Sequence, residues 1–562
     1  MSDDLNKKLT KIIPLGGIEE IGKNMTIIEH DDEIFIVDCG IKFADENVLF
    51  GVNAIICPFD YLIANEHKIV GLFVTHAHED HIGGIPYLLK SINIPKIYGF
   101  KLTTLIIAKK LREHKDLKTY EFEVIDDNSE IKTKHFKINF YRVCHSIPDC
   151  FGLFIETPNG KVVHTGDFRF DLLAQGDETD ILKIAEIGRK DIDLLLCETT
   201  NSETRGFSSS EKNVVDELRR IISKAKGRVF LTTFASQLSR IEEVIEIAIS
   251  NNRKIALCGR SLETNIEMAI KANYLNISKN SFIEPREVKN EKPNEVIILL
   301  TGSQGEEMAA LSQIAVGKHP WIAIQQDDMV IFSSSPIPGN FLNVENLMNK
   351  LYKSGAEVIV NTQKQKIHAS GHATETEQQL LIKLINPHYI IPIHGEYTML
   401  KNLRKNCLGI GLTSDDFIQI SNGQIVELDN GKVKATDDFV DMYDVFVDGN
   451  TINQDSTNLL KYRQILSQDG ILNATVLIDR RSKKIIDLPI ISIRGSFYAK
   501  STPPLVAKIV YSIKKNIEEA MQKISRPIEN NEIKGIVEKT TDFFIWKNKK
   551  KRPLVRTAIF DI

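Results

Sequence analysis

The segment Thr75-His76-Ala77-His78-Glu79-Asp80-His81-Ile82-Gly83-Gly84 constrains this chain more than any other. It places three imidazoles and two carboxylates within six residues, directly after the apolar run KIVGLFV. Imidazole nitrogen together with carboxylate oxygen is a donor set for zinc or manganese. The spacing H-x-H-x-D-H follows neither one face of a helix nor one face of a strand. On a loop after a strand, it can turn one His pair toward one cation and an Asp-His pair toward a second. The chain has 14 histidines in 562 residues, so three in six positions are not the scatter of a polar surface loop.

Such a loop needs further ligands from a distance. His145 in YRVCHSIPD, Asp167 in VVHTGDFRF and His394 in IIPIHGEY each follow an apolar strand pattern. A strand end is a rigid place from which to aim a side chain into a crevice between loops. Taken singly, each also reads as a satisfied strand-end residue; together with the His76–His81 cluster they read as ligands.

Around these positions the first 200 residues are short apolar runs separated by turns, such as EIFIVDCG (33–40) and DIDLLLCET (191–199), which suits a sheet-rich layer. Between about 207 and 365, amphipathic helical stretches (211–226, 239–250) alternate with apolar strands (228–234, 254–259, 295–302, 329–335, 356–361), the pattern of a parallel sheet with helices on its faces. The first style returns from about 367. A polar stretch near 447–456 reads as a linker. The tail combines strands at 473–482 and 489–497 with one amphipathic helix at 505–525. Composition (42% hydrophobic, 26% charged) is that of a globular chain and excludes disordered and fibrous classes. Net charge is −4, so any nucleic-acid contact must come from local patches. Seven scattered cysteines without a C-x-x-C pair read as reduced thiols. With no apolar leader and no run near 18 apolar residues, a cytoplasmic protein without a membrane contact is expected.

The ordered set His76, His78, Asp80, His81, His145, Asp167 and His394 resembles the ligand set of the metallo-β-lactamase fold, and Asp38, in IVDCG, matches that fold's first motif. Some 226 residues separate Asp167 from His394, room for a whole domain. In place and content this insertion is similar to the β-CASP domain of nucleic-acid-processing members, with Glu198 and His372 at motif positions and His394 itself as the last. The strings PLGGIEEIGKNM (14–25), HEDHIGG (78–84), TTFASQLSRIE (232–242), GRSLETN (259–265), TGSQGEEMAALS (301–312), FSSSPIPGN (332–340) and IHGEY (393–397) narrow the resemblance to the ribonuclease J family, over essentially the whole chain. Three departures stand out: SQLSR where the family has Asn and His before the Arg, Glu198 where Asp is more usual, and Ala77 where Gly is common.

The resemblance implies an α/β architecture: a metallo-β-lactamase αββα sandwich in two parts (1–206 and 367–447), split by a β-CASP domain (207–366), then a linker (448–460) and a small C-terminal α+β domain (461–562). It implies two divalent ions, zinc expected and manganese the alternative, with His76, His78 and His145 on one, Asp80, His81 and His394 on the other, Asp167 bridging and Asp38 bracing the loop. The activity implied is 5′→3′ exoribonuclease action on 5′-monophosphorylated single-stranded RNA, with endonuclease action, in RNA maturation and decay. Metal-activated water would attack phosphorus, with Asp80 and Asp167 among the catalytic groups. His372, oriented by Glu198, is the candidate proton donor to the leaving oxygen; capping the following helix is its alternative role. Ser333, Ser334, Ser335, Ser370, Gly371 and His372 are candidates for a pocket holding the 5′ phosphate. Lys212, Arg219, Arg220, Arg240 and Arg260 are candidates for an RNA channel, or, for the first three, solvated helix faces. The run Lys547, Lys549, Lys550, Lys551 and Arg552 reads equally as an RNA contact or a soluble terminal turn. A homodimer or homotetramer, and a paralogue or RNA-degrading assembly, are the partners implied. The competing readings are a DNA or small-molecule hydrolase of the same fold and a non-catalytic scaffold; the insertion disfavours small molecules and the intact ligands disfavour a scaffold.

Overall fold

The computed structural model describes residues 8–44, 49–173, 176, 178–275, 277, 281–337, 340–362, 364–449, 451–453, 456–498 and 502–562. The chain divides into two compact units, one of residues 1–43 and 55–444, the other of residues 44–54 and 445–562.

The first unit is built on three sheets. In the first, eight strands run in the order Lys432–Phe439, Gln424–Asp429, Thr10–Gly16, Met25–His30, Glu33–Val37, Ile69–Phe73, Ile94–Gly99, Tyr120–Val124. In the second, six run Glu130–Lys132, Lys137–Val143, Cys150–Thr157, Gly160–His164, Leu194–Glu198, Tyr389–Ile393. Inward residues of both, among them Phe35, Phe73, Phe140, Phe151, Leu194, Ile391 and Leu428, share one core, so the sheets stack as a sandwich. The chain that returns after residue 367 completes both layers. Tyr389–Ile393 pairs parallel with Leu194–Glu198, and Gln424–Asp429 pairs antiparallel with Thr10–Gly16. Glu33–Val37, Ile69–Phe73, Gly160–His164, Leu194–Glu198 and Tyr389–Ile393 sit in the parallel parts of the two sheets. The side chains that follow their carboxyl ends meet in one place.

The third sheet is wholly parallel, in the order Phe282–Ile283, Lys254–Cys258, Val296–Leu300, Val229–Thr232, Met329–Phe332, Glu357–Val360. Each of its faces carries its own apolar core, with Leu231 and Ile297 on one and Phe230 and Ile298 on the other. Burial on both faces is why these strands read as continuous apolar runs rather than alternating ones. Helix Glu211–Ile222 starts at Ser210, whose hydroxyl accepts from Lys212 N; Val214, Val215, Leu218, Ile221 and Ile222 form its buried stripe.

The second unit has a core of its own. Ile471–Asp479 lies between the antiparallel strand Ile490–Arg494 and the parallel strand Leu554–Asp561, and helices Pro503–Lys523 and Asn530–Lys549 pack on them through Ile509, Ile513, Ile517, Ile533, Val537 and Ile545. The second helix corrects the expectation of one. Its core stripe includes the polar Thr540 and Thr541, and lysines crowd its end, which hides the period. The stretch read as a linker is also ordered where described: Val445–Asp448 pairs with Thr451–Asn453, and helix Ser456–Gln468 follows. Its polarity is that of a tight turn, with Gly449 at φ 60°; residues 450 and 454–455 of it lie outside the described residues.

Candidate metal centre

Past Ile69–Phe73 the chain turns through His76 and His78 and winds into the short helix Glu79–Ile82. Two other segments clasp this loop by backbone bonds. Cys39 N donates to His81 O at 2.8 Å, Ile41 N to Glu79 O at 3.1 Å and Asn24 N to Asp80 O at 3.1 Å. A Cβ on Gly40 would stand 1.6 Å from Asp80 O, so only glycine allows this approach.

Each imidazole is turned by the nitrogen that faces away from the centre. Asp38, in the left-handed conformation (φ 61°) one residue past its strand, accepts from Thr75 N at 2.8 Å and Thr75 Oγ1 at 2.9 Å. It also stands 2.8 Å from His81 Nδ1, which leaves Nε2 facing the cluster. His145 Nδ1 donates to Gly371 O at 2.7 Å. His76 Nδ1 is 3.1 Å from Thr75 Oγ1, and His78 Nε2 is 3.0 Å from Ser236 Oγ of the inserted segment. His394 is also left-handed (φ 50°), and its carbonyl accepts from Thr200 Oγ1 at 2.9 Å.

The inward atoms form two groups. His76 Nε2 and His78 Nδ1 are 3.0 Å apart, and His78 Nδ1 and His145 Nε2 3.1 Å. Asp167 Oδ2 lies 3.6 Å from His76 Nε2 and 3.8 Å from His145 Nε2. In the second group, Asp80 Oδ2 lies 3.6 Å from His81 Nε2 and 3.2 Å from His394 Nε2, and Asp167 Oδ2 is 3.3 Å from His81 Nε2. Donors about 2.0–2.1 Å from a tetrahedral zinc stand about 3.3 Å from one another. Asp167 Oδ2 and His394 Nε2 are buried and make no hydrogen bond, although Asp167 Oδ1 is 2.8 Å from His394 Nδ1. Converging donor atoms at these separations, two of them unpartnered, fit divalent cations.

The electrostatics agree. Burial, and then the neighbouring imidazoles, hold His76 and His145 well below the ordinary histidine range, while burial brings His78 to about 4. Burial also opposes charge on Asp80 and Asp167, but His81 and His394 outweigh it and keep both carboxyls low. The reciprocal pull, against burial, raises His81 and takes His394 to about 10. The two buried carboxylates attract positive charge, which protons on His81 and His394 supply and a divalent cation can replace.

His372 stands at the rim, with its ring centroid 4.9 Å from that of His145. Its Nδ1 is 2.9 Å from Glu198 Oε2, while Glu198 Oε1 accepts from Phe168 N at 2.7 Å. Burial disfavours its charge, but Glu198 and then Asp167 outweigh burial and raise its pKa. It does not cap the next helix: Thr374 does, in a capping box with Glu377.

Other expected groups fall elsewhere. A cavity of about 40 Å³ beside His145 is lined by Ser146, Arg169, Gln237, Arg240 and Ser370. Ser333, Ser334 and Ser335 do not line it. Ser333 Oγ is consumed by Ile367 O at 2.6 Å, Ser334 Oγ is buried without a partner, and Ser335 O accepts from Gln304; Pro338 and Gly339 of that string lie outside the described residues. Ser370 Oγ accepts from Asn201 Nδ2 at 2.7 Å and from His372 N at 3.2 Å. Arg240 is not a channel residue. It is fully buried, with Nη2 on Glu211 at 2.8 Å and Nη1 on Gln237 at 2.6 Å and Ser333 O at 2.7 Å. Arg219 and Arg220 pair with Glu243 and Glu217 on an exposed helix face. The residue that sequence reasoning passed over is Asn24. Its Nδ2 reaches Asp80 O at 3.2 Å and His81 Nε2 at 3.1 Å, and a lone Asn after Gly-Lys carries no signal of that.

Known proteins resemble this chain along its whole length. Models of the metallo-beta-lactamase superfamily, the ribonuclease J beta-CASP domain, the Zn-dependent metallo-hydrolase RNA specificity domain and the ribonuclease J C-terminal domain match residues 19–232, 226–351, 357–413 and 458–562. Ribonuclease J of Mycoplasma pneumoniae is 44% identical over 99% of this chain and 98% of its own length. This chain belongs to the ribonuclease J family. Other ribonuclease J relatives are ribonuclease J 1 of Streptococcus pyogenes, 38% identical over 97% of this chain and 96% of its own, and ribonuclease J2 of Bacillus subtilis, 34% identical over 99% of each. A crystal structure of a protein of unknown function from Enterococcus faecalis V583 shares the fold, with TM-score 0.55 at 17% identity over 75% of this chain and all of its own. The ribonuclease J assignment carries divalent-metal binding with it. No helix among the described residues is long and apolar enough to cross a membrane.

Proposed function

We propose that this protein is a two-metal ribonuclease that removes nucleotides 5′→3′ from 5′-monophosphorylated single-stranded RNA and also cuts internally, in RNA maturation and decay. The observation that carries this is the pair of donor groups meeting at Asp167 Oδ2 beside the His372–Glu198 pair. His76, His78 and His145 would hold one cation and Asp80, His81 and His394 the other, with Asp167 available to both; the donors suit zinc, with manganese the alternative. Bound cations supply Lewis acidity, acidifying water and offsetting phosphate charge.

The chain's own part is positional. Asp38, Thr75 and the Gly371 carbonyl fix the imidazoles. Glu198 holds the Nδ1 proton of His372, so Nε2 is the nitrogen that delivers a proton to the leaving 3′ oxygen, ending the product in a 5′ phosphate. Ser370, Gly371 and His372 make the end pocket for a 5′ monophosphate. The same reading takes in the sandwich, β-CASP and C-terminal domain boundaries, a homodimeric or homotetrameric state, a paralogue or degradation-assembly partner, and a cytoplasmic location, all as the family resemblance implies them.

The test is a time course on two single-stranded RNAs that differ only in a 5′ mono- or triphosphate, each labelled at that end. Early release of labelled mononucleotide from the monophosphate RNA alone is the expected result. Internal fragments from both RNAs with no early labelled mononucleotide from either would reject the exonuclease mode and the end pocket.

A further inference from the structure

Nothing in the hydrolytic site uses the basic run at the end of helix Asn530–Lys549, and its setting is unusual. Lys539, Phe543, Trp546 and Lys547 recur at i, i+4, i+7 and i+8, which puts them on one helical face about 100° wide, and Lys550 is the left-handed cap just past it (φ 56°). Phe543 is 60% and Trp546 45% exposed. Cations sit over the rings: Lys547 Nζ is 5.7 Å from the Phe543 centroid, Lys550 Nζ 5.4 Å and Arg552 Cζ 4.8 Å from that of Trp546. Lys549 Nζ lies 5.6 Å from the Phe497 ring. Among the described residues none of Lys547, Lys549, Lys550 and Arg552 is in an ion pair, and Lys551 Nζ bonds only the Gln468 carbonyl. In a chain of net charge −4 this is a concentrated, uncompensated positive strip.

We propose that this strip is an RNA-contact surface remote in sequence from the ligands, stacking unpaired bases on Phe543 and Trp546 while Lys539, Lys547, Lys550 and Arg552 take phosphates. Cations interleaved with exposed rings are what a single strand offers partners for, since every base has a stackable face and every link a charge. A second copy fits poorly: across a two-fold axis the same patch would meet itself, like charge against like. The helix end adds to the selection, because its carbonyl dipoles hold the lysines without neutralising them for a polyanion outside.

The inference rests on RNA being the substrate, so wild-type cleavage of RNA is measured first; its failure would sink that reading and not this surface alone. The metal-loaded full chain is then titrated with long and very short phosphorothioate-linked oligouridine, which resists cleavage. Phe543→Ala/Trp546→Ala should weaken binding of the long strand by roughly 30-fold or more, with Trp546→Phe retaining most of it. Lys547→Ala/Lys550→Ala/Arg552→Ala should lower the slope of log K against log salt by about 2, from 0.7 per lost phosphate contact. Binding of the short strand, and cleavage of an unmodified strand of the same length, should not change. Wild-type affinity and slope in both variants would overturn the proposal, as would loss of self-association in sedimentation with RNA affinity intact.

Discussion

Asn24 makes the sharpest residue-scale case. Its amide holds the Asp80 carbonyl, and its contact with His81 Nε2, the nitrogen left over when Asp38 takes Nδ1, is one that a bound cation would replace. Asn24→Ala should weaken metal affinity about 10- to 100-fold, the usual effect of losing a group that orients a ligand. Competition against a chromogenic chelator measures it, and unchanged affinity would remove Asn24 from the site. Asp167→Asn should lose bound metal and cleavage together while RNA binding persists, since the RNA contacts lie on other residues; metal content by mass spectrometry decides. Glu211 tests the packing around the cavity. Burial opposes its charge, but Arg240 outweighs that and lowers its pKa. A carboxyl held low in the fold stabilises it above the ordinary glutamate pKa, and this is lost as pH falls through the lowered value. Glu211→Gln leaves Arg240 buried and uncompensated, so it should cost about 3–5 kcal/mol at neutral pH, less in acid. Denaturant titrations at two pH values check both statements.

At the scale of elements, the segments around Asn24, Cys39–Ile41 and Glu79–His81 act as one clasp, with Gly40 as the contact of no thickness. Gly40→Ala must push Asp80 away, so it should lower metal content and stability together, read by metal analysis and thermal unfolding. The strand-end placement of His145, Asp167 and His394 was legible in sequence because an apolar run followed by a polar ligand has one physical meaning in a packed sheet. Asp38 was legible only as the match to the fold's first motif. The clasp was not, since it is made of backbone bonds that any residue can form. Ser333–Ser335 looked like anion donors because hydroxyls cluster there, yet one hydroxyl serves the Ile367 carbonyl. Arg240 looked like a channel cation; its acid, Glu211, is 29 residues away on another helix, a pairing no local pattern records. Helix Asn530–Lys549 was missed because threonines and lysines dilute its apolar stripe.

For the whole molecule, two units with separate cores imply separable melting. Ligands bound by the native state alone stabilise the part that holds them, by about 4 kcal/mol at a thousandfold excess over Kd. Chelation should therefore lower one calorimetric transition, that of the unit with residues 55–444, and leave the other in place. Movement of both, or of neither, would contradict this.

The order in which the chain carries its ligands has a consequence for how it is made. His76 and Asp167 are synthesised early, but His394 follows the whole inserted domain, and the strand that pairs with Thr10–Gly16, Gln424–Asp429, comes later still. Domains fold as they emerge from the ribosome. A protein that cleaves RNA is thus translated from RNA with its cutting centre open on one side for most of its synthesis, and a product truncated before His394 lacks a donor of the second group.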